Sequence, residues 1–82
     1  MFEMTYTKSQ IASLIDVRIE SYEQWIAGYV EQLDECYKEL ASADNELIIK
    51  EIKEDIEYYE QALHDKKIAL KEVKKMKEFL TN

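Results

Sequence analysis

The chain predicts an all-α fold, an antiparallel two-helix hairpin of coiled-coil type that associates into a four-helix bundle. Three observations carry this. Among 82 residues there is no proline and a single glycine, so the punctuation that strands and tight turns require is missing. Charged residues make up 35% of the chain, and the Glu, Lys, Leu, Ile and Ala that recur are strong helix formers. Two long runs of apolar residues keep a three-four spacing and are separated by one short group of turn-prone residues.

Residues 1–6 carry Phe2, Met4 and Tyr6 without a period, and are expected to form an irregular arm that docks on the helices. Helix 1 is expected over residues 7–41. Thr7 followed three residues later by Gln10 fits a capping box, in which hydroxyl and amide satisfy unpaired N–H groups of the first turn. Ala12, Ile15, Ile19, Tyr22, Ile26, Tyr29, Leu33, Cys36 and Leu40 then alternate between a and d positions of a heptad repeat. Continuing that phase would bring Lys50 and Glu54 onto the seam, so the helix must end after Leu40. A turn is expected over residues 42–46, where Ser42, Asp44 or Asn45 is available to cap a second helix. Helix 2 is expected over 47–80, on a seam of Ile49, Ile52, Ile56, Tyr59, Leu63, Leu70, Val73 and Leu80. Lys66 and Lys77 occupy two further positions of that seam, and Ile48, Ala62, Ala69 and Met76 flank it. Two helices of matched length, each roughly 50 Å at about 1.5 Å per residue, joined by a short connection, read as a hairpin.

Helix 1 is wider in apolar surface than one partner helix covers, since Ile11 and Trp25 extend the stripe on one side and Val30 and Tyr37 on the other. A chain this short also supplies few kcal/mol from its own core. Either a homodimer is therefore expected, two hairpins forming four helices, or one hairpin that clamps a foreign helix.

The formal charge of −7 argues against direct binding to nucleic acid or to an anionic membrane, both of which need a basic footprint, and favours a protein partner with a basic surface. The charge is uneven. From Glu31 to Glu60 eleven acidic residues stand against three lysines, whereas from Lys66 onward six lysines stand against Glu72 and Glu78. A hairpin turns this into an acidic turn end and a basic open end, which would favour antiparallel docking of two copies. Asp34, Glu35, Glu39, Glu51, Glu54 and Asp55 form the expected acidic partner face. The lysines from Lys66 to Lys77 read either as a patch for an acidic partner or a nucleic-acid backbone, or as side chains that run their apolar stems along the helix and keep their charge in water.

Aromatic residues are the least ordinary feature. Tyr and Trp combine a large apolar body with one polar atom, which suits interfaces. Tyr22, Trp25, Tyr29, Tyr37, Tyr58 and Tyr59 are the interface candidates; Tyr22, Tyr29 and Tyr59 also fit seam layers, whereas Trp25, Tyr37 and Tyr58 lie on flanks.

Chemistry is not expected. Cys36 is the only cysteine, which precludes an intramolecular disulfide and suits a reducing cytoplasm, and its acidic neighbours oppose a reactive thiolate. Glu60 and His64 share a helix face at a spacing that suits two metal ligands, but no Glu-x-x-His pair supplies the rest of a bundle metal site. No catalytic constellation, cofactor motif or metal set is found. The N-terminus lacks the basic start and apolar run of a signal peptide, and no apolar run approaches the ~20 residues of a membrane span, so a cytoplasmic location is expected.

One resemblance competes with the long first helix. Ser9 to Gly28, SQIASLIDVRIESYEQWIAG, resembles the helix-turn-helix of phage repressors: Ala12 falls where two helices meet, Val17 follows the turn, Tyr22 and Trp25 sit at core positions of the reading helix, and Gly28 ends it. The resemblance implies DNA binding. It departs at Asp16, where a glycine usually turns the chain, and Ile15, Ile19, Tyr22 and Ile26 hold one phase straight through the supposed turn. The leading expectation is thus a small regulatory inhibitor or adaptor. In size and composition it resembles the acidic regulators of phages and mobile elements, and it would work by covering a basic, nucleic-acid-binding surface of its target, in the cytoplasm of a host cell if it is phage-derived. A structural coiled-coil connector is the alternative, and a DNA-binding protein ranks last.

Overall fold

The computed structural model describes residues 7–81. The expected arm, residues 1–6, lies outside them. Two helices make up the described chain: α1, Lys8–Ser42, and α2, Glu46–Thr81. They are 35 and 36 residues long.

α1 begins where its capping box places it. The Thr7 N–H donates to Gln10 Oε1 at 2.9 Å and the Gln10 N–H donates to Thr7 Oγ1 at 3.1 Å. The helix then runs unbroken through Asp16, so the turn that a DNA-reading helix-turn-helix requires is replaced by continuous helix. It ends one residue later than the expected boundary. Ser42 stays helical, its hydroxyl turned back to the carbonyls of Lys38 and Glu39 at 3.4 and 3.2 Å, and Ala43 leaves the helix in extended geometry. The link is correspondingly shorter than 42–46. Of the three candidate caps Asn45 serves: its Oδ1 accepts from the N–H of Leu47 at 2.8 Å and, more weakly, of Ile48 at 3.4 Å, and α2 starts at Glu46 rather than 47. Glu46 adds a carboxylate to the positive end of the helix dipole.

Both seams turn inward. Every seam residue of α1 from Ala12 to Leu40, and of α2 from Ile49 to Leu80, is buried or half-buried, Lys66 and Lys77 among them. An antiparallel register that aligns the seams sets Leu33 level with Tyr59, Cys36 with Ile56 and Leu40 with Ile52. Leu33, Cys36, Ile52 and Ile56 form the buried cluster, with Leu40, Ala43, Tyr59 and Leu63 packed against it. The core therefore sits in the turn half; among the described residues of the open half only Ile15 is as deeply buried. The hairpin measures 62 × 28 × 14 Å, a slab with two broad faces. No helix among the described residues is long and apolar enough to cross a membrane.

Candidate interaction surface

The heptad register assigns the two broad faces. With Ala12 and Ile49 at a, residues at g and c fall on one face and residues at e and b on the other. The e and b face is mainly polar, Val30 being its exposed aliphatic residue, and carries contacts between the two helices. Tyr37, half exposed at 49%, donates its hydroxyl to Glu60 Oε1 at 2.8 Å across the two helices. That bond, then burial, then the Glu60 charge raise the Tyr37 phenol above its ordinary pKa. At the open end Lys77 Nζ reaches Asp16 Oδ1 at 2.6 Å. Lys67, Lys71 and Lys74 line a shallow groove on α2 at this end. By the register they look toward the helix edge that carries Asp16, Glu20 and Glu23, so much of the basic open end is balanced within the chain.

The g and c face differs. At its open end Ile11, Leu14, Arg18, Met76 and Phe79 border a cleft of about 730 Å³, with Tyr22, Val73 and Leu80 beneath. Leu14, Met76 and Phe79 are 59%, 57% and 85% exposed, an arrangement that a closed core does not leave in water. In the middle Trp25, Gly28, Gln32 and Tyr59 share a second shallow depression. Trp25 is 54% exposed, edge-on to Tyr22 at 6.3 Å, and Tyr58 is 66% exposed, edge-on to Tyr59 at 5.4 Å. Lys66 stands over the Trp25 ring at 4.0 Å and the Tyr22 ring at 5.6 Å, so its charge is held on aromatic faces rather than sent to solvent. A Cβ added at Gly28 would meet nothing within 4 Å. Glycine inside a helix costs about 1 kcal/mol relative to alanine, and packing within this hairpin does not require it.

At the turn end the same face carries Glu35, Glu39, Glu51 and Asp55 by register, and no lysine. Cys36, 8% exposed, lies beneath them. Burial raises its thiol pKa, and the charges of Asp55, Glu39 and Glu35 raise it further.

The sequence candidates thus separate. Tyr22, Tyr29 and Tyr59 are half-buried, Tyr29 and Tyr59 meeting at 6.2 Å. Trp25 and Tyr58 share the g and c face, and Tyr37 belongs to the opposite one. Of the six acidic candidates, Glu35, Glu39, Glu51 and Asp55 share a face. Asp34 is paired with Lys38 at 2.9 Å, and the bond raises the Lys38 pKa. Glu54 lies among Glu46, Lys50, Lys53 and Glu57 on the outside of α2. The cleft residues Leu14 and Phe79 were not among the sequence candidates; their c positions on the heptads would have marked them. Glu60 is engaged by Tyr37, His64 is exposed, and among the described residues no three His, Cys, Asp or Glu side chains converge as metal ligands.

Comparison with protein-family models, with curated proteins and with solved structures finds no match to the chain.

Proposed function

We propose that the protein is an acidic protein-interaction module, a regulatory inhibitor or adaptor without chemistry of its own, which binds a protein partner that carries a basic surface. The observation that carries this reading is the segregation on the g and c face. Glu35, Glu39, Glu51 and Asp55 gather at its turn end without a lysine among them, next to exposed Tyr58 and Trp25. Carboxylates steer a basic partner and fix its register, while aromatic bodies supply contact area. A basic nucleic-acid-binding surface on the target suits such a face, because carboxylates at helical spacing occupy the places where phosphates would sit. The module works in the cytoplasm in this reading, and needs no cofactor.

Zero-length carbodiimide cross-linking in extract of the source cell tests it, since this chemistry joins a carboxylate directly to a lysine amine. Cross-linked peptides are expected to join Glu35, Glu39, Glu51 or Asp55 to lysines of one partner, and the Glu39→Gln, Glu51→Gln, Asp55→Asn variant should lose that partner. Equal capture by the neutralised variant would overturn the reading and favour the structural connector. The 62 Å length and slab shape of the hairpin suit that alternative.

A further inference from the structure

We propose that a second copy of this chain covers the g and c face in an antiparallel arrangement, so that the free protein is a homodimer in which each copy occludes the other's acidic site. This rests on the reading of that face as a docking surface, and adds its regulation: self-association and capture of a basic partner exclude one another.

The face is self-complementary about its midpoint. A two-fold axis makes each contact twice, so a patch at one distance from the axis must match a different patch at the same distance on the other side. Gly28, with open space above it, and Ala62 lie level near the middle of the face. From there, at about 1.5 Å per residue, Trp25 lies within roughly 10 Å toward the open end and Tyr58 within roughly 10 Å toward the turn. Arg18 lies roughly 15 Å toward the open end, and Glu39, Glu51 and Asp55 roughly 15 Å toward the turn. The open-end cleft lies roughly 20 Å out on one side, and exposed Ile48 roughly 20 Å out on the other. An axis at Gly28 therefore sets Arg18 on the partner's Glu39 and Ile48 in the partner's cleft, and gathers both copies' Trp25 and Tyr58 around the middle of the interface. Glu72 on the cleft rim opposes this pairing and leaves each end of the dimer acidic. Among the described residues Arg18 has no carboxylate partner within its own chain.

The exposed area agrees. A compact monomer of 9.8 kDa exposes about 5,200 Å² by the usual scaling with mass, whereas this hairpin exposes 6853 Å². A stable interface removes about 800 Å² from each partner, and about half of one broad face, 62 by 28 Å, supplies it.

Sedimentation equilibrium of the full chain tests the dimer and its register. The expected mass is twice 9.8 kDa at tens of micromolar. Gly28→Leu should keep its helical circular dichroism yet dissociate at least about tenfold more readily, because the added Cβ meets nothing within 4 Å in its own chain and the side chain fills space that the second copy would occupy. Arg18→Glu and Glu39→Arg should each weaken association, and the double variant should restore it. The two residues are roughly 30 Å apart along one helix, so rescue can act only between chains. A monomeric wild type, a dimer indifferent to Gly28→Leu, or swaps without rescue would each overturn the proposal. A monomer that still cross-links to a basic partner through its turn-end carboxylates removes the dimer and leaves the proposed function standing; a dimer of this register that captures no such partner does the reverse.

Discussion

Cys36 shows how one residue reports on the surface above it. Its thiol is held neutral first by burial and then by Asp55, Glu39 and Glu35. A raised pKa means that the fold favours the neutral thiol. The associated stability is complete below the ordinary thiol pKa of about 8.5 and is lost as pH climbs through the raised value. Thiolate is the species that reacts, so alkylation of the native chain at pH 8 should run slower than in denaturant, where neither burial nor the three carboxylates hold the thiol neutral. Stopped-time mass spectrometry would measure the two rates. Asp55→Asn with Glu39→Gln should narrow the gap without unfolding the chain, and an unchanged rate would show that burial alone protects the sulfur. Lys66 makes a different point. In the sequence it looked like a fault in the second seam, because nothing in one helix says which side chain will stand opposite. Only the hairpin register brings Trp25 and Tyr22 under its ammonium group.

At the scale of the elements, the helices were legible because a three-four phase is a property of one strand of sequence and needs no partner. Ile15, Ile19, Tyr22 and Ile26 held that phase across Asp16, and α1 passes straight through. The ends were less legible. Ser42, Asp44 and Asn45 all have side-chain oxygens able to accept from a first turn, and the choice among them is made by how tightly the chain reverses. With Ser42 still helical and Ala43 extended, Asn45 alone is placed to cap α2. Asn45→Ala should therefore cost about 1 kcal/mol, a fall in Tm of roughly 4–8 °C for a domain of this size. Asn45→Ser should keep most of it. Ser42→Ala should change little, because its hydroxyl only returns to carbonyls already bonded in the helix. A larger effect at Ser42 than at Asn45 in thermal melts would contradict this assignment. The two broad faces were legible only in part: Trp25 and Tyr37 were both flanking aromatics, and the heptad letters g and e put them on opposite sides.

For the whole molecule, stability is unevenly spread along the long axis. Leu33, Cys36, Ile52 and Ile56 are buried together in the turn half, while the open half has Ile15, two lysines on the seam of α2 and a cleft whose apolar rim faces water. The Asp16–Lys77 pair at that end has side chains 54% and 41% exposed, and such pairs contribute no more than about 1 kcal/mol. Opening free energy follows buried apolar contact. In the Gly28→Leu chain at low concentration, amide hydrogens of 30–40 and 49–60 should therefore exchange slowest, and those of 8–20 and 68–80 well before them. In the wild type the gradient should flatten as concentration rises, because a second copy laid across the cleft stabilises the end that the hairpin leaves thin, and Tm should rise with it by mass action. Uniform protection along both helices at low concentration would mean that the open half holds itself closed, and the cleft would then lose its claim on a second chain.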